Sequence, residues 1–278
     1  GIMAAGWPAG TALAGIITLY TTPALGWRSA FFIATIPAFI IIVIRLFVNE
    51  TEPFKKVREI ENSSLDFYKN INFIDLVNNY KRKFHSVYCK LLSGTNLYNS
   101  VLVWIYINTA VFPYSLLIWF APYWMSDAFG LSLVQTNTVT VIGSFISIIG
   151  FICCGWLGGL LNIRKANIIF LPTGILLFVT LSYFLNNFSG FLIIYFLWNF
   201  FGAGIWGIIP RLFTEKFHTS IRGTAASIST ASCWLGWGVI SFFSPFLLEN
   251  VAYHTVIFLS ILIIFPFAFI SMWLITKA

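Results

Sequence analysis

An all-α, polytopic membrane protein is the fold class that this sequence predicts, and three observations carry that reading. Hydrophobic residues make up 59% of the chain and charged residues only 9%. Soluble domains stand near 45–50% apolar and about 25% charged, so a water-facing surface cannot be assembled from this composition. The few charges are also bunched, leaving long charge-free runs at 1–27, 29–44, 91–126, 128–163, 166–210, 223–248 and 250–276. Finally, the basic residues alternate with those runs in a way that follows membrane sidedness. A soluble enzyme, a disordered chain and a disulfide scaffold are excluded together. Cys89, Cys153, Cys154 and Cys233 show neither a disulfide framework nor metal-ligand spacing, so no metal or cofactor is expected.

A bilayer-crossing helix needs about 20 mostly apolar residues, because unpaired backbone polar groups are too costly in hydrocarbon. On that length scale the runs divide into eight spans, at 3–21, 28–48, 98–124, 133–159, 166–185, 190–211, 223–247 and 252–275. The fifth and sixth are separated by Asn186-Asn187-Phe188-Ser189-Gly190, whose turn-forming residues interrupt a helix. An even number of spans puts both ends of the chain on one face. Every Lys and Arg except Arg28 falls on that face. Basic loops mark the cytoplasm, so both termini are expected there. The net charge of +7 is thus a topology signal, not a nucleic-acid patch. The start at Gly1, without a basic leader region, argues against a secretory signal peptide. It fits a chain that is part of a longer product.

Spans one and seven correspond at an offset of 222, with Gly1 meeting Gly223, Ala4 meeting Ala226 and Pro23 meeting Pro245. Spans one and two lead into a long charged loop, whereas spans seven and eight lead to the C-terminus. Units of six helices would then make the second unit complete and leave the first with its last two. The expected organisation is an incomplete N-terminal bundle at 1–49, an inter-bundle loop at 50–97 and a complete six-helix bundle at 98–278. Two such bundles around a central cavity describe a parallel-repeat secondary transporter. Small residues four apart allow close helix approach, and Gly6/Gly10, Gly155/Gly159 and Ser232/Gly236 have that spacing.

Several stretches resemble the major facilitator superfamily. Gly26-Trp27-Arg28, Phe31-Phe32, Pro37, Arg45 and the exit Asn49-Glu50-Thr51-Glu52-Pro53-Phe54 are similar to that family's sixth helix. Pro210 through Gly223, with Glu215, a short turn and then Arg222-Gly223, resembles its link between helices ten and eleven. Gly155 through Lys165 sits where the family carries a Gly/Asp/Arg loop; Gly159 stands in the place of the usual Asp, while Arg164-Lys165 keep the basic end. The resemblance covers the chain as helices five to twelve of twelve. Trp119 through Trp124, followed by Phe129-Gly130-Leu131-Ser132, is closer to organic-acid:proton symporters, and the Gln-Gln-x-x-Gly-x-Asn signature of hexose porters is absent.

Transporter sites lie near the bilayer midplane, which selects Thr11, Asn108, Tyr114, Ser144, Ser147, Trp198, Asn199, Ser232, Trp234 and Trp237. Asn108, Tyr114, Ser144, Asn199, Trp234 and Trp237 are the leading solute-binding candidates. Asn offers donors and an acceptor, and Trp and Tyr offer rigid apolar walls with a polar handle; interhelical hydrogen bonding is the competing role for Asn and Ser. No Asp, Glu, Lys or His falls mid-span. A coupling carboxylate therefore belongs to helices outside this chain, or the carrier is a uniporter; both stay open.

The resemblance implies a gate at the Glu215/Arg222 link, with Arg28, Gly155, Arg164 and Gly223 in structural or gating positions. His218 and His254 are solitary, and Cys153-Cys154 packs within a helix. In the loop, 71–77 forms a short amphipathic segment on the inner membrane face or part of a solvated linker. The functional expectation is a carrier of a small solute in the cell membrane, an organic acid moved with protons by alternating access. A sugar-type carrier, a uniporter, a membrane-embedded transferase and a non-transporting scaffold are the alternatives. Partners are the solute, protons if the carrier is proton-driven, and the bilayer; nucleic acid is not one of them.

Overall fold

A computed structural model describes residues 1–48, 87–184 and 186–250, with the short stretches 266–267, 269–271 and 273–274. All regular structure in these residues is helical. The expected loop segment at 71–77, His254 and most of the eighth span lie outside the described residues.

Helix α1 (Gly6–Leu25) ends at Gly26, whose φ of 76° turns the chain into α2 (Trp27–Ala34). Only glycine adopts that conformation without strain. Thr35 interrupts the second expected span: its hydroxyl donates to the Phe32 carbonyl, and α3 (Ile36–Phe47) restarts on Pro37 in its first turn, where a missing N–H costs nothing. Helix α4 (Gly94–Phe129) carries Pro113 and Pro122 internally and stops at left-handed Gly130. Ser132 and Gln135 then cap α5 (Leu133–Leu161) reciprocally, side chain to backbone in both directions. Asn162 turns the chain at φ 89° and caps α6 (Ile163–Tyr183) through the Lys165 N–H.

Asn187, within the expected turn 186–190, caps α7 (Phe188–Gly204). The sixth expected span is not one helix: a 3-10 turn (Ile205–Gly207) divides α7 from α8 (Ile209–Lys216). Helix α9 (Thr219–Asn250) follows. Five stretches among the described residues are both long and apolar enough to cross a bilayer: Trp27–Phe47, Gly94–Phe129, Leu133–Leu161, Ile163–Leu181 and Phe188–Lys216. The first and seventh expected spans fall on α1 and α9, of 20 and 32 residues.

Helix α5 organises the bundle. It packs against α7 on one side and α1 on another, while α6 lies on α7 and α9 on α4. In a bilayer, helices associate through close van der Waals packing, so small residues mark the seams. A Cβ at Gly150 would stand 2.2 Å from the Phe200 carbonyl oxygen, one at Gly207 2.1 Å from that of Phe151, and one at Gly174 2.6 Å from the Gly202 Cα. These contacts are backbone to backbone and admit no side chain.

The small-residue pairs expected from spacing behave differently from one another. Gly155 packs against Gly1 and the Gly207 carbonyl, Gly159 faces the Arg211 guanidinium, and Gly236 meets the Asn108 side chain. Gly6 and Gly10 have nothing within 4 Å, so that pair is not a seam in this structure. The face turned to α5 runs instead from Gly1 and Ala5, in the turn before α1, through Pro8, Ala12 and Gly15 of α1, at alternating steps of four and three; Ala5 and Ala12 are 6% and 2% exposed, and Pro8 is buried.

Two apolar clusters fill the interior. One joins Tyr106, Ile107, Phe170, Ile208, Leu212 and Phe217 near the end bearing Arg164, Lys165 and Arg211. The other joins Tyr114, Leu117, Met125, Phe178, Phe191 and Trp198 further along the bundle. No residue of the apolar stretch Trp27–Phe47 is buried.

Candidate functional site

Aromatic side chains from four other elements gather around Tyr114, which is 5% exposed. Pro113 precedes it inside α4, where proline removes a backbone hydrogen bond. Trp198 of α7 and Trp237 of α9 stack beside its ring, with centroids at 6.0 and 6.2 Å, and Trp206 of the 3-10 turn lies tilted at 5.9 Å. Trp234 and Trp237, three residues apart on one face of α9, meet edge to face at 5.1 Å. Trp7 of α1 closes the group, 5.3 Å from Trp234 and 5.7 Å from Trp237. The Trp7 indole also lies beside the Tyr114 hydroxyl; indole has only a donor, and a hydroxyl can accept. Tilted and offset aromatic pairs at these separations each add about 0.5–1.5 kcal/mol beyond burial.

The cage is not electrostatically bland. The buried indole N–H groups of Trp206 and Trp237 have no acceptor among the described residues. A buried donor left unmade costs about 1–3 kcal/mol. Trp234 is 49% exposed and marks the open side.

Of the residues selected from the sequence, Tyr114, Trp198, Trp234 and Trp237 are brought together in this cage. The polar candidates are not. Asn199 is buried and accepts from the Ser147 hydroxyl at 2.9 Å while donating to the Tyr195 carbonyl at 2.8 Å. Asn108 donates to the Ser232 hydroxyl at 3.1 Å and to the Trp104 carbonyl at 2.9 Å. Ser144 donates to the Thr140 carbonyl and accepts from Thr11 at 3.3 Å. These bonds tie α5 to α7, α4 to α9 and α1 to α5. The coupling of Ser147→Ala with Asn199→Ala in a double-mutant cycle of unfolding is expected to be about 0.6 kcal/mol; zero coupling would mean that this bond does not hold α5 to α7.

Three residues were missed by selection on mid-span position. Trp7 lies near the start of its span, Trp206 sits in a turn within the sixth, and Asn137, near the start of α5, donates to the Gly15 carbonyl at 3.1 Å. The signal for the first two was the density of Trp at helical spacing, which depth alone does not capture.

At the basic end, Glu215 pairs with Arg211 at 2.6 Å rather than with Arg222. The two stand four apart on α8, within easy reach. The Arg222 guanidinium donates instead to the Phe217 and Thr214 carbonyls, satisfying the orphan acceptors of a helix end. Arg164 is exposed and Gly223 has nothing within 4 Å. Arg28 lies at the opposite end, its guanidinium 4.5 Å over the Trp27 ring. Among the described residues no group of three or more His, Cys, Asp or Glu is placed to hold a metal.

Comparison with known proteins agrees with this architecture. The Major Facilitator Superfamily profile matches residues 1–241. The chain is 24% identical over 226 residues to a cis,cis-muconate transport protein of Acinetobacter baylyi, covering 81% of this chain and 51% of the relative. It is also 24% identical over 237 residues to the niacin transporter NiaP of the same organism, covering 81% and 53%. The chain thus spans about half the length of the curated relatives it matches. No solved structure gives a significant match. A bundle of long apolar helices, an aromatic site framed by several of them and a profile match over most of the length lead to one assignment: the chain belongs to the major facilitator superfamily of membrane transporters.

Proposed function

We propose that this chain supplies the solute cage of a secondary carrier for small planar organic acids, working by alternating access in the cell membrane. The observation that carries the reading is the cage itself: stacked rings around Tyr114 and two buried indole N–H groups without acceptors among the described residues. Flat rings favour a flat, unsaturated solute, and indole donors suit carboxylate oxygens. The names of the relatives support the same chemistry, since muconate and niacin are both conjugated carboxylates.

In this reading 1–49 closes an N-terminal bundle, 50–97 links it to the six-helix bundle at 98–278, and both chain ends face the cytoplasm. The cage joins the two bundles, because Trp7 lies on α1 and Trp234 and Trp237 on α9. Proton symport is the expected energy source. An anion entering against an interior-negative potential loses about 2.3 kcal/mol per charge per 100 mV, and a proton moving with a monocarboxylate cancels that cost. The carboxylate that carries the proton belongs to helices preceding these.

The test is uptake by proteoliposomes containing the full-length protein. Labelled nicotinate or cis,cis-muconate is expected to enter saturably, each inhibiting the other, with uptake stimulated by an acidic exterior. Uptake unaffected by the pH gradient would replace symport with uniport. Uptake of hexoses but of neither acid would overturn the substrate class.

A further inference from the structure

The outward faces of α5 and α6 end together at an exposed pair of cations. Along α5, Phe145, Ile149, Ile152, Trp156 and Leu160 recur at steps of four and three and are 39–63% exposed, the spacing of one helix face. Helix α6 follows after the turn at Asn162 and packs against α5; its exposed apolar residues include Ile168, Ile169 and Leu176. In a membrane-spanning bundle such faces meet acyl chains. Arg164 and Lys165, both exposed, open α6 beside the last turn of α5. Trp156 lies five residues before the end of α5, about 7 Å deeper at 1.5 Å per residue, the depth at which aromatic belts sit under the headgroups.

These two cations differ from others at the basic end. Arg211 is held by Glu215 and by the Gly158 carbonyl, and Arg222 by the Phe217 and Thr214 carbonyls. The side chains of Arg164 and Lys165 make no hydrogen bond or ion pair among the described residues. Glu215 is the one carboxylate that the described residues place at this end, and Arg211 takes it. Two adjacent positive charges thus stand without a counter-charge from the described residues, on stems long enough to keep their heads at the membrane surface.

We propose that this corner binds an anionic phospholipid, with its phosphate on Arg164 and Lys165 and its acyl chains along Leu160 and Trp156. The cation pair selects the headgroup charge, as basic clusters next to spanning helices do for anionic lipids. The exposed apolar face beneath it selects a lipid over a soluble phosphate, because only a lipid covers both. A zwitterionic headgroup brings its own ammonium to the same cations and is the weaker occupant. The inference rests on the membrane-spanning bundle and not on the solute, since none of these residues belongs to the aromatic cage.

Trp156, 63% exposed, is a native reporter in full-length protein labelled with 5-fluorotryptophan and held in phosphatidylcholine nanodiscs. A small share of the lipid carries a nitroxide on its acyl chain, on either phosphatidylglycerol or phosphatidylcholine. The phosphatidylglycerol label is expected to broaden the Trp156 resonance at a concentration between about fivefold and about thirtyfold lower, since each cation near a charged headgroup contributes about fivefold. Arg164→Gln with Lys165→Gln is expected to bring the two lipids level at Trp156. The ratio at exposed Trp27, at the opposite end of the bundle, is expected to be the same in both proteins. Equal broadening by the two lipids in the parent, or a preference that survives both replacements, overturns the site. Should the double variant not fold, salt decides in the parent: screening is expected to reduce the preference, and a preference indifferent to salt overturns it. Displacement of the phosphatidylglycerol label by glycerol phosphate at matched ionic strength would make the ligand a soluble phosphate and overturn the lipid.

Discussion

Replacement of Tyr114 by leucine is expected to weaken binding of a planar carboxylate between about fivefold and about a hundredfold. Tyr114 lies against Trp198, Trp206 and Trp237 together, so its ring sets the spacing of the cage walls. Loss of one stacking surface costs about 1–3 kcal/mol in sites built on aromatic platforms, and each 1.4 kcal/mol is tenfold in affinity. Leucine retains apolar volume in a position that is 5% exposed, which keeps the change largely local. Tyr114→Phe removes only the hydroxyl and is expected to lose less than about tenfold. Isothermal titration of nicotinate into the purified full-length protein measures both. Equal losses in the two variants would mean that the hydroxyl, not the stacked ring, dominates.

The largest expected effect on folding is at Gly150. Leucine there must place its Cβ 2.2 Å from the Phe200 carbonyl oxygen and 3.0 Å from the Phe200 carbonyl carbon. Both are backbone atoms, so no rotamer change relieves the clash; α5 and α7 must separate. Overpacking a seated core costs about 1–3 kcal/mol where side chains can yield, and here none can. Gly150→Leu is therefore expected to lose the monodisperse detergent-purified species and Gly150→Ala to lower its melting temperature. Gly6→Leu, with nothing within 4 Å of the added carbon, is the matched control and is expected to behave as the parent. Equivalent behaviour of Gly150→Leu and Gly6→Leu would show that α5 and α7 do not share this backbone seam.

The spans were legible in the sequence because their cause is local. Twenty apolar residues in a row exclude water from any fold they join, and Asn187 caps α7 with its own side chain. The interruptions at Thr35 and at 205–207 were less legible. Hydropathy is unchanged across them, and only Pro37 and the glycines at 202, 204 and 207 hint at the breaks. The cage was half visible. Tyr114 and Trp237 lie at mid-span depth, but depth does not say which way a side chain faces, so it does not point to Trp7 and does not separate the cage residues from Asn108 and Asn199. Their amides are taken up by Ser232 and Ser147, partners more than fifty residues away along the chain. The Arg211–Glu215 pair was readable from its four-residue spacing, whereas the use of a backbone carbonyl by Arg211 has no sequence signature at all.

Fluorine NMR of the full-length protein labelled with 5-fluorotryptophan tests the cage most directly. Resonances of Trp7, Trp206, Trp234 and Trp237, assigned by single replacement, are predicted to shift saturably with nicotinate, while exposed Trp27 beside Arg28 and exposed Trp156 stay fixed. Shifts confined to tryptophans outside the cage, with those four unmoved at saturation, would contradict the account.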